Sequence, residues 1–434
     1  MSSAIGPLER ARALDAPNRG VGAKAVWRDR VARRLVLRLL RRVHGGALEI
    51  VDGTERLTFG DTTATRPLKA TLDVRSPRFY RALLRGSVGL CESYMDGLWE
   101  CSDLVALTRI AALNVRALDN LRRVLAPVLI PVQRWMRWLR RNTIGRSRRQ
   151  IAAHYDLGND LFGCFLDSTM MYSCAIFDSP EATLEEASLA KLERVCAKLD
   201  LGPADHVLEI GTGWGGFAVY AAEHYGCRVT TTTISREQHA YATERVRTAG
   251  LGERVTVLLE DYRALQGSYD KLVSIEMIEA VGWQNFPTYF RRCSELLEDD
   301  GAMLLQAIVI DDRAYQVEKA SKSFINTYIF PGGCLPSLEL ISRQLPRVTD
   351  LRQVHLEDIT AHYATTLALW RERFLDASKH LADLGYDERF RRLWELYLSY
   401  CEGGFRERRI QDVQLLLAKP GYRGESAPVV SLAA

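Results

Sequence analysis

The residues best suited to chemistry gather around Val207-Leu-Glu-Ile-Gly-Thr-Gly-Trp-Gly-Gly-Phe217. An apolar stretch broken by Glu209 leads into Gly211, Gly213, Gly215 and Gly216, and a helix-compatible run over 217–224 follows. This predicts a buried strand, a tight turn and a helix. Gly211 and Gly213 would let the backbone bend through positive φ and approach a nucleotide-like ligand, while Gly216 would let the helix pack closely on the strand. The same pattern also serves as a turn without a ligand. A dinucleotide site wants an acid at the end of the second strand to hold the ribose. Here that strand, over 227–234, ends in threonines, Thr233 among them. Asp261-Tyr262 closes a third strand over 254–259, where an aromatic face can stack on a base.

These positions need a scaffold, and the sequence supplies one. A helix over 185–199 precedes the glycine turn; strands over 227–234, 254–260, 271–278 and 302–310 and helices over 235–249 and 285–297 follow it. Such alternation implies βαβ units and an α/β, doubly wound sheet. Ligands in these sheets bind outside the carboxyl ends of the strands, where the glycine turn, Thr233, Asp261 and Glu279 all fall. After residue 310 comes an aromatic-rich helical and loop insertion, suited either to lining an apolar pocket or to core, and a last strand over 411–418 closes the sheet.

Ahead of this lies a smaller, mainly helical N-terminal domain. Residues 1–24 are expected to be a disordered leader, 25–145 a lipid- or membrane-associated domain, 146–420 the α/β domain and 421–434 a tail. Val31, Leu35, Leu39 and Val43 form one stripe of a basic amphipathic helix that could lie on an anionic membrane or simply cover the domain. Asp52-Gly53 marks a hairpin turn, 72–74 a strand and Ser76-Pro77 the start of a helix to about residue 85. The segment 89–99 is a Gly-bounded aromatic stretch that could be simply a packed turn. Helix is expected over 103–141, broken at Pro127 and Pro131. There Trp135, Met136, Trp138 and Leu139 interleave with arginines, and an arginine-rich link at 146–149 marks the domain boundary.

The chain has 434 residues, 47% hydrophobic and 26% charged, with a formal net charge of +4. That fits a globular protein of two domains. Its nine cysteines contain no Cys-x-x-Cys pair, so neither a disulfide framework nor a metal site is expected and a reducing cytoplasm fits. No signal peptide is evident, and the longest apolar run, over 124–132, is too short to span a bilayer. Arginine clustering suggests a local anionic partner, for which nucleic acid and membrane headgroups both qualify; no recognised nucleic-acid motif accompanies it, and a peripheral place at the inner face of the membrane is expected.

Taken together, the motifs resemble the cyclopropane-fatty-acyl-phospholipid synthase family of S-adenosylmethionine-dependent enzymes, with the class I methyltransferase fold. The resemblance rests on 91–97 (with Cys91 where the family has Gly), His154–Asp160, Tyr172-Ser-Cys174, Glu209–Gly216, Thr233–Gln238, Glu276-Met-Ile-Glu-Ala-Val-Gly282, Tyr328–Gly333, Tyr363–Thr366 and Tyr400–Phe405. It implies that Tyr172, Ser173, Gly211, Gly213, Thr233, Gln238, Asp261 and Tyr262 hold S-adenosylmethionine. It also implies a bicarbonate ion beside the reacting alkene, surrounded by Cys174, Glu279, Gln306, the main chain at Ile308, and Tyr363. Cys401 matches the family's active-site cysteine. Gln306 stands where the family has His.

The implied substrate is an unsaturated phospholipid acyl chain. Methyl transfer to its double bond leaves a carbocation, which aromatic faces and a buried anion would stabilise. Loss of a proton from the new methyl closes a cyclopropane ring; without ring closure the outcome is a methyl-branched or methylene product, which a reductase could finish. Replacing a titratable His by Gln removes a possible proton acceptor and brings the second outcome into contention. The resemblance also implies a homodimer. Competing readings are a methyltransferase for a soluble substrate, a non-catalytic binder, and a dehydrogenase disfavoured by Thr233.

Overall fold

The structure is a computed structural model that describes residues 23–61, 68–115, 158–320 and 323–424. Most of the leader, the second part of the helix expected over 103–141 with Trp135, Met136, Trp138 and Leu139, the link at 146–149, residues 154–157 and most of the tail lie outside the described residues. The chain forms two compact units, one of Met1–Val128, Ser321–Pro331 and Phe374–Glu407, the other of Leu129–Ala320, Gly332–Arg373 and Arg408–Ala434.

The first unit carries a four-stranded sheet as well as helices. Strands β1 (Ala47–Asp52), β2 (Glu55–Gly60), β3 (Lys69–Val74) and β4 (Trp99–Cys101) lie in the order β2-β1-β3-β4. Gly53, at φ +63°, turns the β1–β2 hairpin as expected, with Asp52 opposite Glu55. The segment 89–99 differs from its reading as a turn: helix Gly86–Met95 occupies most of it. Its aromatics explain why, since Tyr94 packs 4.9 Å from the fully buried ring of Trp99. The Tyr94 hydroxyl donates at 2.9 Å to Glu395 on helix Glu388–Arg406.

Helix Ala23–Leu40 buries Asp29, Ala32 and Val36 and leaves Trp27, Val31, Leu35 and Leu39 exposed, Trp27 by 66%. The apolar stripe read from the sequence therefore faces outward, beside exposed Arg28, Arg30, Arg34 and Arg38. Among the described residues no helix is long and apolar enough to cross a membrane.

The second unit is built on a seven-stranded sheet of β5 (His206–Ile210), β6 (Arg228–Thr233), β7 (Val255–Leu259), β8 (Tyr269–Ile275), β9 (Leu297–Ile310), β10 (Arg352–Asp358) and β11 (Ile410–Ala418). Its order is β10-β11-β9-β8-β5-β6-β7. Six strands of this sheet point the same way, while β11 pairs antiparallel with both β9 and β10. Both faces are covered, which is why β5 carries apolar residues toward each of them. Leu208 and Ile210 pack with Phe286 and Phe290 on one side, and Val207 with Phe217, Leu192 and Val195 on the other. Helix Leu184–Leu199 starts on a capping box: Thr183 Oγ1 accepts from Glu186 N, and the Glu186 carboxylate accepts from Thr183 N.

Two boundaries matter for the site. Strand β8 ends at Ile275 because Glu276 adopts φ +49°, and a short helix, Ile278–Val281, follows. Strand β10 was not expected; its polar, largely exposed residues suit the edge of a sheet and give no apolar signal.

Candidate active site

The glycine turn opens a cavity at the carboxyl ends of β5, β6 and β8. Tyr172, Ser173, Gly211, Gly213, Thr233, Gln238, Asp261 and Tyr262 all line it, together with Glu209 and Glu276. Gly211 and Gly213 stand at φ +108° and +53°, conformations that favour glycine, and Gly213 faces open space. Burial pushes the Glu209 carboxyl up to about 8, although Thr231 Oγ1 donates to it at 2.5 Å. The Asp261 carboxylate accepts from Arg263 Nε and a terminal guanidinium nitrogen, both at 2.7 Å. The Tyr262 hydroxyl is buried without a protein partner. Buried acids and an unpartnered hydroxyl around a glycine cradle fit S-adenosylmethionine, which carries positive charge at its sulfur and amine and polar groups on its nucleoside.

Deeper along the wall, buried polar groups converge on Glu276. One carboxylate oxygen accepts from Cys174 N and from Gln306 Nε2, each at 2.8 Å; the other accepts from the Tyr363 hydroxyl at 2.6 Å. Gln306 Nε2 also reaches Asp412 Oδ2 at 3.2 Å. Its orientation is fixed from behind, because Gln306 Oε1 accepts from Gln414 Nε2 at 3.0 Å and Gln414 accepts from Lys198 Nζ at 2.6 Å. Strand register creates this chain, with Gln306 on β9 directly opposite Gln414 on β11, and Asp412 two residues away on the same face. Glu279 Oε1 accepts from Ile308 N at 2.6 Å, and its other oxygen is buried without a partner. Burial, reinforced by the charge of Glu276, pushes the Glu279 carboxyl up to about 8.

Cys174, Glu279, Gln306, Ile308 and Tyr363 thus come together, but around a group the sequence reading did not single out. Cys174 contributes its backbone N–H; burial holds its thiol well above the ordinary range. Cys401 lies in the first unit, on helix Glu388–Arg406, and burial pushes its thiol up to about 12. A thiol so raised is protonated and a poor nucleophile. Lys191 was also missed. It is fully buried on helix Leu184–Leu199, its ammonium donates to Ser173 Oγ at 2.9 Å, and burial lowers it to about 8 against the opposing pull of Glu276 and Asp412.

Gly216 packs differently from expectation. A Cβ there would come within 2.6 Å of Met171 Sδ and 2.7 Å of the Thr169 carbonyl, so this glycine admits the 169–171 segment rather than only the strand. The Thr169 carbonyl is also held by Arg245 at 2.7 Å and cannot easily yield. Gly216→Ala is therefore expected to destabilise the protein by about 1–3 kcal/mol and to weaken cofactor binding. Gly163→Ala, where a Cβ meets nothing, should stay within about 0.5 kcal/mol of wild type. Thermal unfolding and cofactor titration of both variants read the difference; equal behaviour would refute the packing argument.

Comparison with known proteins places this geometry. The family model for mycolic acid cyclopropane synthetase matches residues 143–415. The chain is 39% identical over 393 residues to the tuberculostearic acid methyltransferase UfaA1 of Mycobacterium tuberculosis, covering 84% of this chain and 88% of that protein. It is also 39% identical over 358 residues to the cyclopropane-fatty-acyl-phospholipid synthase of Escherichia coli, covering 81% and 88%. The cyclopropane synthase MmaA2 of M. tuberculosis superposes with a TM-score of 0.59 at 32% identity, over 63% of this chain and 98% of that one. The mycolic acid cyclopropane synthase CmaA1, solved with SAH and CTAB, gives the same TM-score and coverage at 30% identity. With the family model matching well over half its length, the chain belongs to the mycolic acid cyclopropane synthetase family and is an S-adenosylmethionine-dependent methyltransferase with a class I α/β fold.

Proposed function

We propose that this enzyme methylates the double bond of an unsaturated acyl chain of a phospholipid and that the product is a cyclopropane ring. One observation carries the reading: an aromatic wall and a buried carboxylate cluster adjoin the glycine-turn cavity. Trp370 lies 5.3 Å from Tyr172 and 6.2 Å from Tyr363, and Phe162 and Phe165 pack at 5.2 and 6.1 Å from Tyr172. Bound S-adenosylmethionine supplies an electrophilic methyl group. The chain's own residues do the rest. Gly211, Gly213, Thr233, Gln238, Asp261 and Tyr262 hold and orient the donor, the rings exclude water and turn their negative faces to a developing cation, and the buried acids take up the proton. The names of the two relatives at 39% identity, a fatty-acyl-phospholipid synthase and a tuberculostearic acid methyltransferase, support an acyl substrate.

The exposed Trp27, Val31, Leu35 and Leu39 with their flanking arginines support peripheral docking on an anionic lipid surface, which would bring the acyl chain to the enzyme. A second product, a methyl-branched or methylene chain, is favoured by Gln306, which binds Glu276 but cannot itself accept a proton. Feeding methyl-deuterated methionine to cells that express the chain tests both. Two deuteria retained in a ring, established by proton NMR of the lipids, supports ring closure. Three deuteria retained, or two in an exocyclic methylene, supports the second product. Absence of label from acyl chains would overturn the proposal.

A further inference from the structure

Among the described residues, Glu276 combines three features. It is a non-glycine residue in the left-handed region, at φ +49°, a conformation that L side chains rarely adopt. Its carboxylate is held from three directions, by Cys174 N, Gln306 Nε2 and the Tyr363 hydroxyl. It also lines the cavity that contains the glycine turn. Strain kept in place by three donors at a cavity wall is the mark of a positioned functional group.

Its protonation follows from its neighbours. Asp412 is fully buried, half-buried Glu276 shares the same Gln306 amide with it, and two carboxylates so placed do not both ionise. The three donors select Glu276 as the charged member, while Asp412 has one oxygen with no partner and keeps the proton. Lys191 supplies a facing positive charge, and Glu279 and the Cys174 thiol, both raised by burial, remain protonated below about pH 8.

This arrangement does not fit bicarbonate. The donors such an ion would need, Cys174 N, Gln306 Nε2 and Tyr363 OH, already bind Glu276, and a further anion would face the Glu276 carboxylate, whose charge Lys191 already offsets. Building on the acyl-methylation reading, we propose that Glu276 is the base that removes the proton from the methylated acyl chain, so that this enzyme works without bicarbonate. The alkene π pair forms the bond to the incoming methyl carbon as the carbon–sulfur bond breaks with its pair on sulfur. A C–H pair of the resulting cation then closes the ring or forms an alkene, and the proton passes to Glu276, which releases it to water when product leaves. Burial raises the basicity of Glu276 and so suits it to this step.

The test uses the full chain, S-adenosylmethionine and vesicles of unsaturated phosphatidylglycerol in carbon dioxide-free buffer, with and without added sodium bicarbonate. Wild type should turn over at the same rate in both. Glu276→Gln, which keeps a hydrogen-bonding side chain, should bind S-adenosylmethionine normally and lose about 10²- to 10⁴-fold in rate. Glu276→Gly relieves the left-handed strain and vacates the carboxylate position; it should be inactive and regain activity with bicarbonate, a rescue that a purely structural role would not produce. A wild-type enzyme that requires bicarbonate, or a Glu276→Gln variant that binds cofactor and keeps wild-type rate, overturns the inference while leaving acyl methylation standing. Wild type that methylates no acyl chain under either condition overturns the acyl-methylation reading, and this inference with it.

Discussion

Between pH 6.5 and 8 the cofactor-free protein is expected to lose roughly 3 kcal/mol of stability as the pH rises. Glu209 and Glu279 each sit at about 8 in the fold against an ordinary value of 4.5, in both cases chiefly through burial. Over this window the folded state keeps protons that the unfolded chain has released. The native state therefore binds more protons, and the slope of stability against pH is negative, up to about 1.4 kcal/mol per unit for each group. The window is bounded by groups of opposite sign. His206, His355 and His362 are lowered from 6.5 and make stability rise with pH below that value. Lys191, lowered to about 8 from 10.5, does the same above it. Urea unfolding at successive pH values measures the slope, and Glu209→Gln should reduce it by about half. Saturating S-adenosylmethionine should flatten it, because a cationic ligand favours the ionised carboxyls. Stability that climbs through this window would contradict the burial of these acids.

What could be read from the sequence was what is local. The strand, glycine turn and helix at 206–225 are contiguous, so spacing alone gave the turn, and the hairpin at Asp52-Gly53 followed from two residues. The cluster around Glu276 is not local. Gln306 and Gln414 meet only because β9 and β11 pair in one register, and a slip by one residue would turn Gln414 and Asp412 to the opposite face. Asp412 and Gln414 did leave a trace, as polar residues inside a strand that is otherwise buried. Lys191 left another. It shares a helix face with Leu184, Ala187, Ser188 and Val195, all buried, where a solvated lysine would be out of place. Glu276 was hidden by its own motif, since Glu279 three residues on drew attention to the second acid, and nothing in a sequence shows that a glutamate will adopt positive φ. Strand β10 was unread because an edge strand need not be apolar.

Tyr363→Phe is expected to slow turnover at neutral pH by about 10- to 100-fold and to shift the acidic limb of the rate profile upward. The Tyr363 hydroxyl donates to Glu276 at 2.6 Å and, after the larger and opposite effect of burial, is foremost among the groups that keep that carboxyl from rising further. A hydrogen bond to a charged group is worth about 1.5–3 kcal/mol, or roughly one to two pK units. Removing it stabilises the protonated acid, so less base is available at pH 7 and activity returns as the pH rises. Phenylalanine keeps the ring that meets Trp370 edge-on at 6.2 Å, and Gln306 and Cys174 N still hold the other oxygen, so packing and cofactor affinity should survive. The measurement is kcat against pH on vesicles for wild type and variant. If the loss is the same at every pH, Tyr363 acts on the substrate and not on the base. The double variant Tyr363→Phe with Glu276→Gln then decides between them: a hydroxyl that works through the carboxylate adds nothing to the loss already caused at Glu276, whereas one that touches the reacting chain adds its own factor.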